Sequence, residues 1–256
     1  MHDVLDVEQT RPGDVYTLKL QDFSAHLNAI KQHKASVRTI RGRSEWGLET
    51  PTFITFDDGT HGAYAFAGKL LEEHGWHGHF FITTDWIGRD GFMDRQQILD
   101  LHNRGHIVGS HTCSHPERMS HLSNRELIRE WKDSCVILSD IVGSPVRTAS
   151  VAGGYYSRRV AEAAAAAGIQ VFFNSEPTAK TRLVEGCLVL GRYSIQSFTR
   201  SSVTGAIAAG HRWPRQWQSI LWDAKKILKA VGGESYVTVR RRLLSHFTAR
   251  QRAARQ

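Results

Sequence analysis

At 256 residues the chain has room for one large α/β domain or two small ones, and with 41% hydrophobic and 23% charged residues it can bury a substantial core. No apolar run approaches the roughly 18 residues a membrane span needs, and the N-terminal stretch MHDVLDVEQTRPGD lacks the basic and apolar regions of a signal peptide, so a cytoplasmic location is expected. The net charge of +8 gathers towards the end, at Arg240, Arg241, Arg242, Arg250, Arg252 and Arg255. That pattern reads first as a solvated basic tail. Nucleic acid is not expected as a partner, peripheral contact with an anionic membrane face stays open, and the sequence does not set an oligomeric state. Three scattered cysteines, Cys113, Cys135 and Cys187, exclude a disulfide framework and a Cys-x-x-Cys zinc knuckle.

Along the chain, strand and helix patterns alternate. Val15–Leu20 reads as a strand and Asp22–His33 as a helix; Thr52–Phe56 is a short apolar strand, and Ala63–His74 a helix stopped by Gly75. His79–Thr83 is a strand, Arg95–Asn103 a helix and Ile107–Gly109 a strand. Asn124–Val142 is a long amphipathic helix, with Ser123 as its N-cap and Gly143 just past its end. Arg147–Val151, Ile169–Phe173 and Cys187–Leu190 are strands, and Ser157–Ala167 is an alanine-rich helix. From Arg215 to Arg255 the pattern is two helices broken at Gly232-Gly233. Repeated strand–helix units with short connections imply a parallel sheet with helical cover, either a closed or nearly closed barrel or a doubly wound sheet. The expected organisation is a single domain over residues 1–212 with a C-terminal helical extension, 213–256, packed on it.

Two motifs at strand ends carry the chemistry. Asp57 and Asp58 close the apolar strand in Thr55-Phe56-Asp57-Asp58-Gly59, and His111 and His115 follow another strand in His111-Thr112-Cys113-Ser114-His115-Pro116. One carboxylate and two imidazoles make a three-ligand set for a divalent ion, with a coordination position left for water. Asp58, His111 and His115 are the expected ligands, and Asp57 the general base. Zinc is the first expectation for the ion, with cobalt or nickel as alternatives. Active-site groups of parallel barrels gather at the C-terminal strand ends, so the two motifs and the Gly153-Gly154 loop are expected at one rim.

These motifs resemble those of the polysaccharide deacetylase family, the NodB-homology domains of carbohydrate esterase family 4. The resemblance covers about residues 50 to 195 and rests on Thr55–Gly59 and His111–Pro116. It implies an α/β fold, a distorted (β/α) barrel of the NodB type, and hydrolysis of an N-acetyl group from an amino sugar or saccharide precursor. The same carry-over makes Asp57 the base and Asp58, His111 and His115 the ligands of a zinc-like ion. The family's third motif, an Arg-x-Pro-type loop, corresponds here to Ser150–Tyr156, which lacks the Arg and the Pro. Gly153 and Gly154 would bring backbone N–H groups to an oxyanion, with Tyr155, Tyr156 and Trp86 lining a sugar site. The family's late Leu-x-His motif has no histidine in Leu188–Tyr193; His61 or His211 would have to supply the acid. A metal-binding relative with impaired turnover, acting as a sugar-binding module, and a non-sugar amidohydrolase are the alternative functions.

Overall fold

The computed structural model describes residues 1–6, 15–47, 51–154 and 156–224. A seven-stranded sheet, curled into a half-barrel, forms its centre. It comprises β3 (Thr55–Phe56), β4 (His79–Ile82), β5 (Ile107–Ser110), β6 (Thr148–Ser150), β7 (Val171–Phe173), β8 (Arg182–Val184) and β9 (Cys187–Leu190), in the spatial order β3-β4-β5-β6-β7-β9-β8. Every neighbouring pair is parallel except the β8–β9 hairpin, whose antiparallel pairing the strand–helix pattern did not foretell. Outside this sheet, β1 (Asp3–Leu5) and β2 (Thr17–Lys19) form a small parallel pair.

Helices α1 (Leu20–Gln32), α2 (Lys69–Glu73), α3 (Arg95–Asn103), α4 (Asn124–Val142), α5 (Arg158–Ala166) and α6 (Ser201–Ala208) complete the fold. Helix α4 has the expected bounds because both its ends are chemically marked. Ser123 and Glu126 form a reciprocal capping box, and Gly143 closes the helix at φ 69°. Asp94 and Gln97 do the same at the start of α3. The helix expected over Ala63–His74 begins instead as a π-helical turn, Ala63–Gly68, before α2. β1 passes so close there that a Cβ on Gly62 would meet the Val4 carbonyl. Residues 212–224 are helical; the rest of the expected C-terminal helix pair, including its Gly232-Gly233 break, lies outside the described residues.

Strand alternation sorts side chains into two layers. Phe80, Ile82, Val108, Ala149, Phe172 and Val189 face the helices and join the main core with Trp131 and Leu138 of α4. Phe81, Val171, Phe173, Leu188 and Leu190 point into the curl of the sheet, where Phe53 packs on Phe173 at 5.8 Å. A cavity of about 200 Å³ lies between this inner layer and α1 and α6, bordered by Phe53, Leu190, Leu27 and Ile207, with Thr55 and Arg192 also lining it.

Candidate metal centre

The inward alternation that is apolar deep in the sheet turns polar at its C-terminal end. After Phe53 and Thr55 comes Asp57; after Gly109 comes His111; after Thr148 comes Ser150; after Leu188 and Leu190 comes Arg192. Period-two geometry brings these four side chains to one mouth, as expected for a parallel sheet.

Asp58, His111 and His115 each offer a ligand atom, and these atoms lie within 4.8 Å of one another. Asp58 Oδ1 stands 3.4 Å from His111 Nε2 and 3.6 Å from His115 Nε2. This oxygen is buried and has no hydrogen-bond partner among the described residues. A buried carboxylate oxygen without a donor is costly; a cation between it and the two imidazoles would satisfy it, so the residues fit a divalent ion. The backbone supports that geometry in an uncommon conformation. Asp58 (φ 76°), Thr112 (φ 69°) and His115 (φ 54°) all occupy the left-handed region, which non-glycine residues seldom adopt.

Surrounding groups hold these side chains. His111 Nδ1 meets Ser150 Oγ at 2.6 Å and the Ser150 carbonyl at 3.1 Å, which leaves Nε2 turned to Asp58. Glu130 of α4 binds the turn that carries His111 and His115: its Oε2 accepts from the N–H groups of Cys113 and Ser114, each at 2.9 Å, and its Oε1 from Ser114 Oγ at 2.7 Å. Thr112 Oγ1 accepts the N–H of His115 at 3.1 Å. His2 Nδ1 lies 2.6 Å from Asp58 Oδ2, and Thr60 Oγ donates to the His2 carbonyl at 3.0 Å.

Asp57 is separate from the ligand cluster. Its Oδ1 accepts from Arg192 Nη1 at 2.7 Å and from Ser150 Oγ at 2.9 Å, leaving Oδ2 as the oxygen that can take a proton. Burial opposes its charge, but the Arg192 guanidinium, with His111 beyond it, holds the carboxyl well below the usual carboxylate range. Asp58 is also held low: burial again opposes charge, and the nearby imidazoles of His111 and His2 prevail. Burial likewise disfavours a charged His111, yet Asp57 and Asp58 raise its pKa.

The other expected site residues fall in different places. Trp86 stacks on His115, with ring centroids 5.0 Å apart, and also meets Phe92. Gly153 and Gly154 are both left-handed, at φ 64° and 70°; a Cβ on Gly153 would come within 2.6 Å of the Glu117 carbonyl, so this loop abuts the segment after His115. Tyr156 packs on Phe172, which faces the helices, so it belongs to the outer core layer rather than to the mouth. Tyr155 lies outside the described residues. His61 is exposed and pairs with Gln97 of α3 at 3.3 Å, rather than reaching the carboxylates. His211 packs edge-on to His33 at 5.4 Å.

Sequence reasoning missed the pairing of Arg192 with Asp57 and gave Ser150 and Glu130 no role. Arg192 has a readable signal, since it continues the inward series Leu188, Leu190, Arg192. Glu130 lies in a helix fifteen residues beyond His115, and only packing reveals its contact with the turn of His111 and His115.

A curled, mainly parallel sheet with a carboxylate–imidazole cluster at its strand ends fits the NodB-type hydrolase fold that the two motifs implied. The family model for polysaccharide deacetylase matches residues 48–172. YxkH of Bacillus subtilis (strain 168), named for polysaccharide deacetylase, is 27% identical over 200 residues, 76% of this chain and 71% of its own length. A chitin deacetylase of Arthroderma benhamiae is 33% identical over 93 residues, 35% of this chain and 24% of that protein. Over residues 48–172 the chain is similar to the polysaccharide deacetylases, hydrolases that act on carbon–nitrogen bonds other than peptide bonds. Two solved structures show the same fold. The Streptococcus pyogenes deacetylase PplD, in complex with acetate, superposes with a TM-score of 0.67 at 18% identity, covering 78% of this chain and 92% of that one. The Bacillus cereus polysaccharide deacetylase BC0361 gives 0.68 at 20% identity, covering 81% and 66%.

Proposed function

We propose that the chain is a divalent-metal-dependent deacetylase that removes an N-acetyl group from an amino sugar unit of a saccharide or saccharide precursor. The observation that carries this reading is the orphaned Asp58 Oδ1, facing two imidazole Nε2 atoms beside a separately held Asp57. Asp58, His111 and His115 would hold the ion, zinc first and cobalt or nickel as alternatives. When bound, such an ion supplies Lewis acidity, which acidifies a water and polarises a carbonyl.

The chain's own residues supply the proton movements. Asp57 Oδ2 takes a proton from the attacking water while Arg192 and Ser150 hold Oδ1 in place. The C–N bond then breaks, and the amide nitrogen needs a proton to leave as an amine. With no histidine in the late strand segment, the protonated Asp57 returns it, made a stronger acid by the adjacent guanidinium. Trp86, which stacks on His115, and the Gly153-Gly154 turn, which abuts Glu117, would line the substrate side.

The test is acetate release from N-acetylglucosamine oligomers. Activity should vanish on chelation and return with zinc or cobalt, and Asp57→Asn should bind the ion yet lose turnover by about 10²-fold or more. Equal rates for Asp57→Asn and wild type would reject the assignment. Metal retention without turnover on any acylated amine would instead favour the impaired, sugar-binding alternative.

A further inference from the structure

The helix over residues 212–224 is amphipathic in the reverse sense. Three of its polar side chains face the protein. Arg215 Nε donates to the Ile207 carbonyl at 3.0 Å, Gln218 exchanges hydrogen bonds with the Ser194 backbone at 3.1 Å, and Ser219 Oγ donates to the Pro177 carbonyl at 2.6 Å. Four of its five large apolar side chains face outwards: Trp213 is 71% exposed, Trp217 51%, Ile220 56% and Leu221 42%, while Trp222 is half-buried on the docked side. At about 100° per residue these four fall within one arc of about 100°, opposite Arg215, Gln218 and Ser219. Trp213 and Trp217 stack with centroids 6.0 Å apart, forming a continuous aromatic surface. A helix that docks by its polar face and presents tryptophans outwards is built for a second apolar phase.

Charge identifies that phase. Residues 212–256 hold eleven of the 33 Lys and Arg but two of the 25 Asp and Glu, so this stretch alone carries +9 (11 − 2), against +8 for the whole chain. The sequence continues the apolar spacing at Leu228 and Val231, with Lys225, Lys226 and Lys229 interleaved. Tryptophans on one side, cations on the flanks and no helix apolar enough to span a bilayer among the described residues together match an interfacial helix. We infer that residues 212–224 seat the enzyme on an anionic phospholipid surface, with Trp213, Trp217, Ile220 and Leu221 entering the interface. This inference is independent of the metal chemistry, and either can fail alone.

The experiment uses the full-length chain and sucrose-loaded vesicles of phosphatidylcholine, with and without phosphatidylglycerol. The protein should sediment with the anionic vesicles and less so at high salt. Brominated lipids should quench its tryptophan emission, a readout that needs no variant. Trp213→Ser combined with Trp217→Ser should weaken vesicle binding about tenfold or more, and Ile220→Glu should weaken it as well, with hydrolysis of a soluble substrate unchanged in both. The inference is overturned if wild type ignores anionic vesicles, or if the variants bind as well as wild type. It is equally overturned if sedimentation velocity shows a dimer that Ile220→Glu dissolves, or if acrylamide cannot reach the tryptophans of the free protein. Those last two outcomes would assign the face to a second copy or to the chain's own remaining residues.

Discussion

Arg192 decides how Asp57 behaves. A carboxylate buried to 6% exposure would ordinarily resist ionisation; the guanidinium 2.7 Å away reverses that and fixes one oxygen. Removing the cation raises the Asp57 pKa, and activity needs the ionised form. Arg192→Ala should therefore move the acidic limb of the pH–rate profile to higher pH as well as lower kcat, and Arg192→Lys should recover part of both. An unmoved acidic limb would show that the guanidinium does not govern Asp57. His111 is perturbed in the opposite direction, and an ion needs its imidazole neutral. With its pKa raised by Asp57 and Asp58, protons compete at higher pH than for an ordinary histidine. Metal affinity followed by calorimetry should fall as pH drops through that raised value, and Asp57→Asn should shift the fall to lower pH. At this scale the cluster of Asp58, His111 and His115 was legible because two motifs mark its members, whereas the contacts of His2, Ser150 and Glu130 were not. Their roles depend on segments distant in sequence meeting in space, and a lone serine or glutamate carries no local mark of that.

Elements place the site through their ends. Helix α4 matters through one side chain: Glu130 gathers two backbone N–H groups and a hydroxyl from the turn that carries His111 and His115. Glu130→Ala should weaken metal binding by about tenfold or more while leaving the fold intact; unchanged affinity would make the contact merely structural. The bounds of α3 and α4 could be read because capping boxes and a terminal glycine mark them. The π-helical turn at Ala63–Gly68 and the antiparallel β8 could not. The first accompanies the close approach of β1, and the second depends on pairing with β9; neither leaves a periodic trace.

Across the whole molecule, the parallel sheet sorts apolar and polar residues along each inward row, so the layer that stabilises the fold also supports the site. His79 sits in that layer against Phe53, Phe81 and Phe173, and burial lowers its pKa to about 4 despite a contact with the Ile40 carbonyl. The unfolded chain, with an ordinary histidine, takes up the proton below about pH 6.5, so stability falls as pH drops from there towards about 4. Urea unfolding should show a loss on the order of 2 kcal/mol at about pH 5 relative to neutral pH from this group. His79→Gln should flatten that slope; a slope identical to wild type would remove His79 as its source. The parallel sheet was legible from alternating strand–helix units; its curl was not legible from periodicity, which is the same for a barrel and an open sheet, and was expected only through the resemblance carried by the two motifs.

The central claim is that three remote side chains converge on one cation while Asp57 stays outside its shell. Anomalous diffraction from crystals grown with zinc or cobalt addresses it directly. The expected result is a single ion contacted by Asp58, His111 and His115, with Asp57 still paired to Arg192. An ion bound elsewhere, or none at these side chains in a preparation that releases acetate, would contradict the account.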